Sequence, residues 1–201
     1  TSGTTGTPKG AMESNRGYNI TSNQISYVAP HLKRGMTFFG YIPFFSLYGS
    51  AIGMHGATSH GIIVDLIPKI DAHKFDKIYV EKKPNIVIGV PRLYEMFPDS
   101  EYINNTDLSF AELLVMGGDK ISPSKLVKIN ETLEKNNCKH KITYGYGSTE
   151  TMMIATTTDD KRSNVAGSCG ILYPGVNVRI TDRETLEELP YNQEGEIYAD
   201  T

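Results

Sequence analysis

The chain has 201 residues, with 20 Lys and Arg against 23 Asp and Glu, so its formal net charge is −3 with the histidines neutral. This balance gives no global basic field for binding nucleic acid or an anionic membrane, and we expect neither partner. The 2 cysteines, Cys138 and Cys169, are too few for a disulfide framework or a structural zinc site built on cysteine pairs. Because no long apolar run is present, we expect no membrane span and a cytoplasmic protein.

The two ends of the chain fall inside patterned segments. The chain opens at Thr1 within a Gly/Thr-rich segment, without an initiating Met or a signal segment, and it stops at Thr201 just after a strand-like run. A natural protein rarely begins inside its most conspicuous motif. We therefore expect this sequence to be a piece of a longer polypeptide.

In chain order, the apolar pattern predicts alternating helices and strands. Helices are predicted at 15–29, 72–82, 91–97 and 122–136, and strands at 36–43, 62–66, 85–90, 113–116 and 141–144. Segment 44–61 is rich in Gly, Ser and aromatic residues, a composition that favours close packing under a ligand. Strand–helix alternation with continuously apolar strands indicates an α/β fold, with a mainly parallel sheet and helices on both of its faces.

The last third of the chain changes character. Residues 176–181 and 195–199 alternate between apolar and polar side chains around a turn-rich stretch, which predicts an antiparallel hairpin. We place a boundary near Gly167. Residues 1–166 would form the α/β core, incomplete at its N-terminus, and 167–201 would begin a smaller β-rich subdomain.

The opening loop, TSGTTGTPKG, is the first candidate site. Glycines let backbone amides approach an anion, and hydroxyl groups and a lysine add donors and positive charge. The candidate residues are Thr1, Ser2, Gly3, Thr4, Thr5, Gly6, Thr7 and Lys9. The loop is not a Walker motif, because Pro8 precedes the lysine and Gly10 follows it. On composition alone, a plain polar loop is an equal alternative.

The second candidate site is YGYGSTE, residues 144–150, where a predicted strand ends. Thr149 offers a hydroxyl to a phosphate oxygen, Glu150 a hard oxygen ligand to Mg²⁺, and Tyr146 a flat ring to a purine. The alternative, which we favour for this motif taken alone, is a Gly-rich turn with Glu150 at a helix N-terminus. The turn at residues 117–119 also follows a strand, so three glycine-rich loops could converge at one edge of the sheet.

Other reactive residues give weaker indications. Cys169 and the pair Met152 and Met153 are typical of buried packing residues. The 5 histidines show no spacing typical of metal ligands, and packing or surface roles are expected for them. They are His31, His55, His60, His73 and His140.

The motifs together resemble the adenylate-forming (AMP-binding) superfamily, which includes acyl-CoA synthetases, firefly-type luciferases and peptide-synthetase adenylation domains. The resemblance rests on the order and spacing of TSGTTGTPKG, IPFFSLYG, VMGGDKIS, YGYGSTET, GSCGILYPGVNVRITD and EGEIY, and it covers nearly the whole chain. It implies a central piece of the large N-terminal domain of such an enzyme.

The resemblance implies a role for each motif. The loop from Ser2 to Lys9 would close over the β- and γ-phosphates of ATP, with Lys9, Thr149 and Glu150 as the catalytic residues. Thr149 would contact the α-phosphate and Glu150 would hold Mg²⁺. The adenine pocket and the adjoining nucleotide contacts would be formed by Gly118, Asp119, Tyr146, Gly147 and Ser148. The pocket for the carboxylic acid substrate would be formed by Ser46, Tyr48, Gly49 and Gly145.

The implied reaction is activation of a small carboxylic acid by ATP, with release of pyrophosphate and transfer of the acyl group to coenzyme A. The sequence departs from the family pattern at Ser46, where many relatives have His, and at the Asp119–Lys120 pair. The family's ribose-binding aspartate and its C-terminal domain, with the adenylation lysine, would lie beyond Thr201. We therefore expect the 201-residue chain alone to be inactive.

Three alternatives remain at this point. The motifs do not separate a coenzyme A ligase from an adenylation domain that loads a carrier protein. A non-catalytic nucleotide-binding module is also possible, although the presence of Lys9, Thr149 and Glu150 counts against it. An unrelated kinase is disfavoured by Pro8 and by the lack of a kinase catalytic-loop pattern.

Overall fold

The computed structural model describes residues 10–158 and 162–201. Its strands are β1 Thr37–Gly40, β2 Ile63–Leu66, β3 Ile86–Gly89, β4 Leu113–Met116, β5 Thr143–Ser148, β6 Met152–Thr156, β7 Ile171–Leu172, β8 Asn177–Thr181 and β9 Glu196–Asp200. Its α-helices are α1 Asn15–Val28, α2 Ala57–Ser59, α3 Phe75–Lys82, α4 Pro91–Tyr94, α5 Glu101–Asn104 and α6 Pro123–Lys135. A π-helix spans Tyr48–Gly56, and 3₁₀ turns span Ala72–Lys74 and Phe97–Asp99.

A seven-stranded sheet in the order β2-β1-β3-β4-β5-β6-β7 organises the described chain. The pairs from β2 to β5 are parallel, and β6 and β7 add antiparallel strands at one side. The predicted α/β fold with a mainly parallel sheet is thereby confirmed. From β1 the chain continues to β2 on one side of β1, whereas from β3 it continues to β4 on the opposite side. The strand order therefore reverses between β1 and β3. Ligands of open α/β sheets bind outside the carboxyl ends of the strands at such a reversal.

Helices cover both faces of the parallel strands, as the apolar strand sequences predict. Phe38 and Phe39 are adjacent in β1 and point to opposite faces, because side chains alternate along a strand. Phe39 joins an apolar cluster with Phe75 of α3 and Ile129 of α6. Phe38 joins a second cluster with Ala57 of α2 and with Ile86 of β3. Each face of the sheet therefore has its own buried layer.

Local signals set several element ends close to their predicted positions. The Ser14 Oγ accepts a hydrogen bond of 3.0 Å from the Gly17 N–H and so caps α1. Pro123 occupies the first turn of α6, with Ser122 as the N-cap. Helix α1 starts at the predicted residue, α6 starts one residue after its predicted start, and β4 has the predicted bounds.

The predicted end of the fifth strand was wrong. Residues 141–144 were predicted as the strand, whereas β5 continues to Ser148 and turns back directly into β6. The alternative of a turn into a helix with Glu150 at its N-terminus is therefore also wrong. Met152, the first residue of β6, has a positive φ of 57°, which residues other than glycine seldom adopt, so its residue type does not mark this turn.

The last third forms the predicted antiparallel hairpin. Strands β8 and β9 pair from Asn177↔Asp200 to Thr181↔Glu196 and form a separate two-stranded sheet. Val178 and Ala199 pack against the cluster around Ile154 and Tyr173. Strand β7 belongs to the main sheet, so this sheet extends past Gly167, and the assignment of 167–201 to a separate subdomain stays a prediction. No helix within the described residues is long and apolar enough to cross a membrane.

Candidate functional site

A cavity of about 240 Å³ lies at the carboxyl edge of the sheet. Three chain segments converge on it: the segment after β1, the turn after β4, and the end of β5 with its hairpin turn. The residues at its wall are Thr21, Ser46, Leu47, Tyr48, Ala51, Ile52, Val115, Gly117, Gly118, Gly145, Tyr146, Gly147, Ser148, Thr149, Met152, Met153, Ala155 and Tyr173. The glycine-rich turns after β4 and β5 therefore meet at one edge of the sheet, as the sequence predicts.

The segment after β1 supplies the polar wall of the cavity. The Ser46 Oγ donates to the Pro43 carbonyl at 2.7 Å and accepts from the Gly49 N–H at 3.1 Å, so it holds the start of the π-helix. The Tyr48 hydroxyl donates to the Gly89 carbonyl at the end of β3, at 3.4 Å. A π-helix is rare and often marks a functional site, because its wider turn displaces side chains from their α-helical positions.

The turn after β4 begins with two glycines, which leave space for a ligand because they carry no side chain. A Cβ placed on Gly117 would lie 3.0 Å from the Gly145 carbonyl oxygen and 3.5 Å from the Tyr48 hydroxyl. Gly118 has a φ of +80°, a conformation that other residues rarely adopt. The two glycines thus form a cradle that any side chain would partly fill.

The β5–β6 hairpin closes the cavity on its other side. A bulge between Tyr146 and Gly147 shifts the strand register, and bulges of this kind re-aim side chains near functional sites. The Ser148 Oγ accepts from the Thr151 N–H at 3.2 Å and so closes the turn. Tyr146 remains 39% exposed, which leaves part of the residue's surface for a ligand.

Two phenols at the cavity are neutral hydrogen-bonding groups at neutral pH. Burial raises the pKa of Tyr48 well above its ordinary range, and the nearby Tyr173 raises it further. Burial raises the pKa of Tyr173 to about 12. Burial also raises the pKa of the Cys169 thiol, which lowers its thiolate fraction and agrees with a packing role.

Most of the predicted site residues that the structure describes lie at this cavity. Those at the wall are Ser46, Tyr48, Gly118, Gly145, Tyr146, Gly147, Ser148 and Thr149. Gly49 is not at the wall; it is buried in the π-helix and its N–H donates to the Ser46 Oγ. The Asp119 backbone carbonyl accepts from the Tyr144 hydroxyl at 2.7 Å, and its exposed side chain lies outside the wall. Glu150 is exposed in the hairpin turn, next to Thr149.

The predicted phosphate loop lies outside the described residues. It comprises Thr1, Ser2, Gly3, Thr4, Thr5, Gly6, Thr7 and Lys9. Their assignment stays a prediction.

Sequence reasoning missed part of the cavity wall. Thr21 of α1 is buried and donates from its Oγ1 to the Met152 sulfur at 3.2 Å. Met152 and Met153, interpreted as packing residues, also line the cavity, as does Tyr173. No local signal marks Thr21, because α1 reads as a polar helix and only tertiary packing turns this residue inward.

A second group of residues was also missed. His31 and His140, interpreted as scattered histidines, lie with Glu112 so that one ligand atom from each is within 4.8 Å of the others. They are 109 positions apart in sequence (140 − 31), so no spacing rule could connect them.

Comparison with known proteins identifies the family. The model of the AMP-binding enzyme family matches residues 1–201. YdaB from Bacillus subtilis, a protein named for an acyl–CoA ligase activity, is 31% identical over 202 residues, which are 100% of this chain and 38% of YdaB. The 4-coumarate–CoA ligase-like protein 2 of Arabidopsis thaliana is 30% identical over 98% of this chain and 34% of its own length.

The fold is shared with a solved structure. The crystal structure of ATP-bound MatB from Rhodopseudomonas palustris aligns with a TM-score of 0.82 and 26% identity, over 100% of this chain and 38% of MatB. The chain thus spans less than two fifths of the length of these proteins. Because the family model matches every residue from 1 to 201, this chain belongs to the family of AMP-binding enzymes.

Proposed function

We propose that this chain is the ATP-binding part of a ligase that activates a carboxylic acid as its acyl-adenylate, with release of pyrophosphate, and then transfers the acyl group to coenzyme A. The observation that carries the proposal is the cavity at the carboxyl edge of the sheet. Its wall combines a side-chain-free cradle, an aromatic ring and several hydroxyl groups, which are the groups needed to bind a nucleotide beside a carboxylate.

The nucleotide half of the cavity would be formed by the turn after β4 and the end of β5. Gly118 and Gly147 would let a planar base approach the backbone, beside the Tyr146 ring. The Thr149 hydroxyl would donate to the α-phosphate. The carboxylate of Glu150 is exposed on the same turn and is a hard oxygen ligand, so it fits Mg²⁺. Bound Mg²⁺ would neutralise charge on the phosphates.

The acid half of the cavity would be formed by Ser46, Tyr48 and Gly145. The high pKa of Tyr48 keeps its hydroxyl protonated, so by giving up its long hydrogen bond to the Gly89 carbonyl it can donate to the carboxylate without adding a negative charge. A carboxylate oxygen would attack the α-phosphorus while the bond to the pyrophosphate oxygen breaks. The protein's contribution to this step is positioning and electrostatic stabilisation, because ATP already carries the leaving group.

The acyl acceptor is proposed from the relatives. The Arabidopsis thaliana protein is named as a coenzyme A ligase-like protein, which supports coenzyme A over a carrier protein. By the resemblance to the family, the ribose-binding aspartate and the adenylation lysine would lie in sequence outside these 201 residues. We therefore predict that the 201-residue chain alone shows no carboxylate-dependent consumption of ATP, measured as pyrophosphate release.

The test is carboxylate-dependent ATP–pyrophosphate exchange by the complete polypeptide that contains this chain, with short, aromatic and long-chain acids. We expect Mg²⁺-dependent exchange with one class of acid. Thr149→Val removes the hydroxyl but keeps the shape of the side chain, and should lower the exchange rate about 10²-fold. Thr106→Val is the matched control, because Thr106 is half-buried just after α5 and is not one of the residues at the cavity wall.

Two outcomes would overturn the proposal. A folded protein that binds Mg-ATP but gives no exchange with any acid would be a non-catalytic nucleotide-binding module. Formation of ADP in place of pyrophosphate would indicate a kinase. Thioester formation with a carrier protein but not with coenzyme A would correct the acceptor only.

A further inference from the structure

A cluster of metal-ligating side chains lies at the amino edge of the sheet, away from the cavity. Glu112 directly precedes β4, His140 lies in the turn between α6 and β5, and His31 lies between α1 and β1. Glu112 and Gly117 flank β4 at its two ends, so five residues of extended chain place this cluster roughly 16 Å from the cavity. The cluster is therefore independent of the proposed adenylation site.

The distances within the cluster suit one metal ion. The His140 Nε2 lies 3.4 Å from the Glu112 Oε2. Two donor atoms at ~2.1 Å from a tetrahedral zinc ion are ~3.4 Å apart, so this pair already has the required separation. The ligand atoms of His31, Glu112 and His140 all lie within 4.8 Å of one another, and small side-chain rotations would bring the third donor into place.

The backbone around Glu112 holds two of the three ligands in position. The Glu112 N–H donates to the Asn85 carbonyl at 2.8 Å, which fixes the residue at the start of β4. The Glu112 carbonyl oxygen lies 2.9 Å from the His31 Nε2. A carbonyl oxygen only accepts, so the His31 Nε2 carries the proton and its Nδ1 keeps a lone pair. Histidines that bind metals usually donate their other ring N–H to such a partner, which orients the ring.

The cluster is partly enclosed yet accessible. The side chains of His140 and Glu112 are 19% and 31% exposed, and His31 is half-buried. Partial burial strengthens the attraction between a carboxylate and a cation, while the remaining exposure provides a path of entry for the ion.

We propose that His31, Glu112 and His140 form a binding site for a divalent transition-metal ion of the Zn²⁺ type. Two imidazoles and one carboxylate form a ligand set that zinc accepts, with a water molecule in the fourth position. The ion would join the α1–β1 connection, the start of β4 and the α6–β5 turn. Its role would be to clamp these three segments together.

Binding requires one specific rearrangement. The rings of His31 and His140 are now stacked, with centroids 4.6 Å apart and planes 6° from parallel. The lone pair of an imidazole nitrogen lies in the ring plane, so two stacked rings cannot both point at one ion. At least one ring must therefore tilt out of the stack on binding.

The test is metal titration of the tag-free complete polypeptide with Zn²⁺ and with Co²⁺ as a spectroscopic probe. We expect one ion per chain and visible Co²⁺ d–d absorption without the thiolate charge-transfer band that Cys138 or Cys169 would add as a ligand. His140→Asn, His31→Gln and Glu112→Gln should each lower Zn²⁺ affinity by at least about 100-fold, since loss of a hydrogen-bond partner to a ligand already costs 10–100-fold. Zn²⁺ should also raise the thermal midpoint of the wild type but not of the variants.

His73→Ala is the matched control, because His73 is exposed and lies outside the cluster. Its Zn²⁺ affinity should equal that of the wild type. Circular dichroism of each variant without metal shows whether it is folded, and the conservative His31→Gln tests the site even if another variant unfolds. The proposal would be overturned if folded His31→Gln bound Zn²⁺ as tightly as the wild type. It would also be overturned if His73→Ala lost as much Zn²⁺ affinity as the variants of the cluster. ATP–pyrophosphate exchange tests the other site, so failure of either proposal leaves the other standing.

Discussion

At the scale of single residues, two buried tyrosine hydroxyls differ in whether they form a hydrogen bond. The Tyr94 hydroxyl is buried and bridges two strands, through the carbonyl oxygens of Val87 at 3.2 Å and Val115 at 3.0 Å. Burial raises the pKa of Tyr94 well above its ordinary value, so the group stays a donor. Within the described residues, the equally buried Tyr79 hydroxyl has no hydrogen-bond partner.

This difference gives a matched pair of substitutions. Tyr94→Phe should lower the free energy of unfolding by about 1 kcal/mol, because a buried hydrogen bond is lost with little change in shape. Tyr79→Phe should leave the free energy of unfolding unchanged or raise it, since it removes an unpaired polar atom. Urea unfolding of both variants measures the effect. A larger loss for Tyr79→Phe than for Tyr94→Phe would contradict the hydrogen-bond assignment.

Two glycines of β5 should respond differently to an added methyl group. A Cβ on Gly147 would clash with the Met152 carbonyl oxygen across the hairpin, whereas a Cβ on Gly145 would meet its nearest atom, the Ala155 carbonyl oxygen, at 4.0 Å. Gly147→Ala should therefore destabilise the fold by about 1–3 kcal/mol. Gly145→Ala should change stability by at most about 0.5 kcal/mol and act on ligand binding alone, because Gly145 lines the cavity.

Thermal unfolding and ATP binding, measured on both variants, separate the two effects. If Gly147→Ala and Gly145→Ala destabilised the fold equally, local movement would relieve the predicted clash between the Cβ at 147 and the Met152 carbonyl oxygen.

At the scale of elements, the turn after β8 depends on one carboxylate. The Asp182 Oδ1 accepts from the backbone N–H groups of Thr185 at 2.9 Å and Glu184 at 2.8 Å. These bonds, chiefly that from Thr185, lower the pKa of Asp182 below 3.8. Because the folded pKa is the lower one, the contribution of Asp182 to stability is fully present above pH 3.8 and is lost as the pH falls through the folded value.

The Thr185 amide should report this loss. Its NMR chemical shift should titrate with a midpoint below 3.8, the ordinary pKa of an aspartate. Asp182→Asn keeps an oxygen acceptor but cannot ionise, so this transition should disappear while the turn remains. A midpoint at or above the ordinary value, or a transition that persists in the variant, would contradict the role of Asp182.

The helices and parallel strands were the elements best predicted from sequence. Capping residues and continuous apolar runs mark their ends locally, as Ser14 and Ser122 do for α1 and α6. The β5–β6 hairpin was not predicted, because its turn contains a positive φ at Met152 and glycines that also suit a strand-to-helix turn. Segment 44–61 was predicted only as closely packed, and its π-helix was not predicted.

At the scale of the whole molecule, stability rests on the two apolar layers of the sheet. Leu114 of β4 is fully buried in the layer with Phe39, whereas Leu66 of edge strand β2 is 54% exposed. Leu114→Ala should lower the free energy of unfolding by about 2–5 kcal/mol, since it removes buried methyl groups and leaves a cavity. Leu66→Ala should cost at most about 1 kcal/mol, because solvent already covers much of its side chain.

Denaturant unfolding of the two leucine variants tests this view of the core. Similar losses for Leu114→Ala and Leu66→Ala would mean that β2 is covered by further chain in the complete protein.

The sequence by itself determined the fold class, the family motifs and which apolar segments become parallel strands. It could do so because periodicity, capping and glycine-rich turns are encoded locally. Only the tertiary structure decided which distant residues meet. Thr21 enters the cavity wall through helix packing, and His31 joins Glu112 and His140 through three separate connections. Contacts between residues far apart in sequence depend on how whole elements pack, and no local pattern in one chain records that packing.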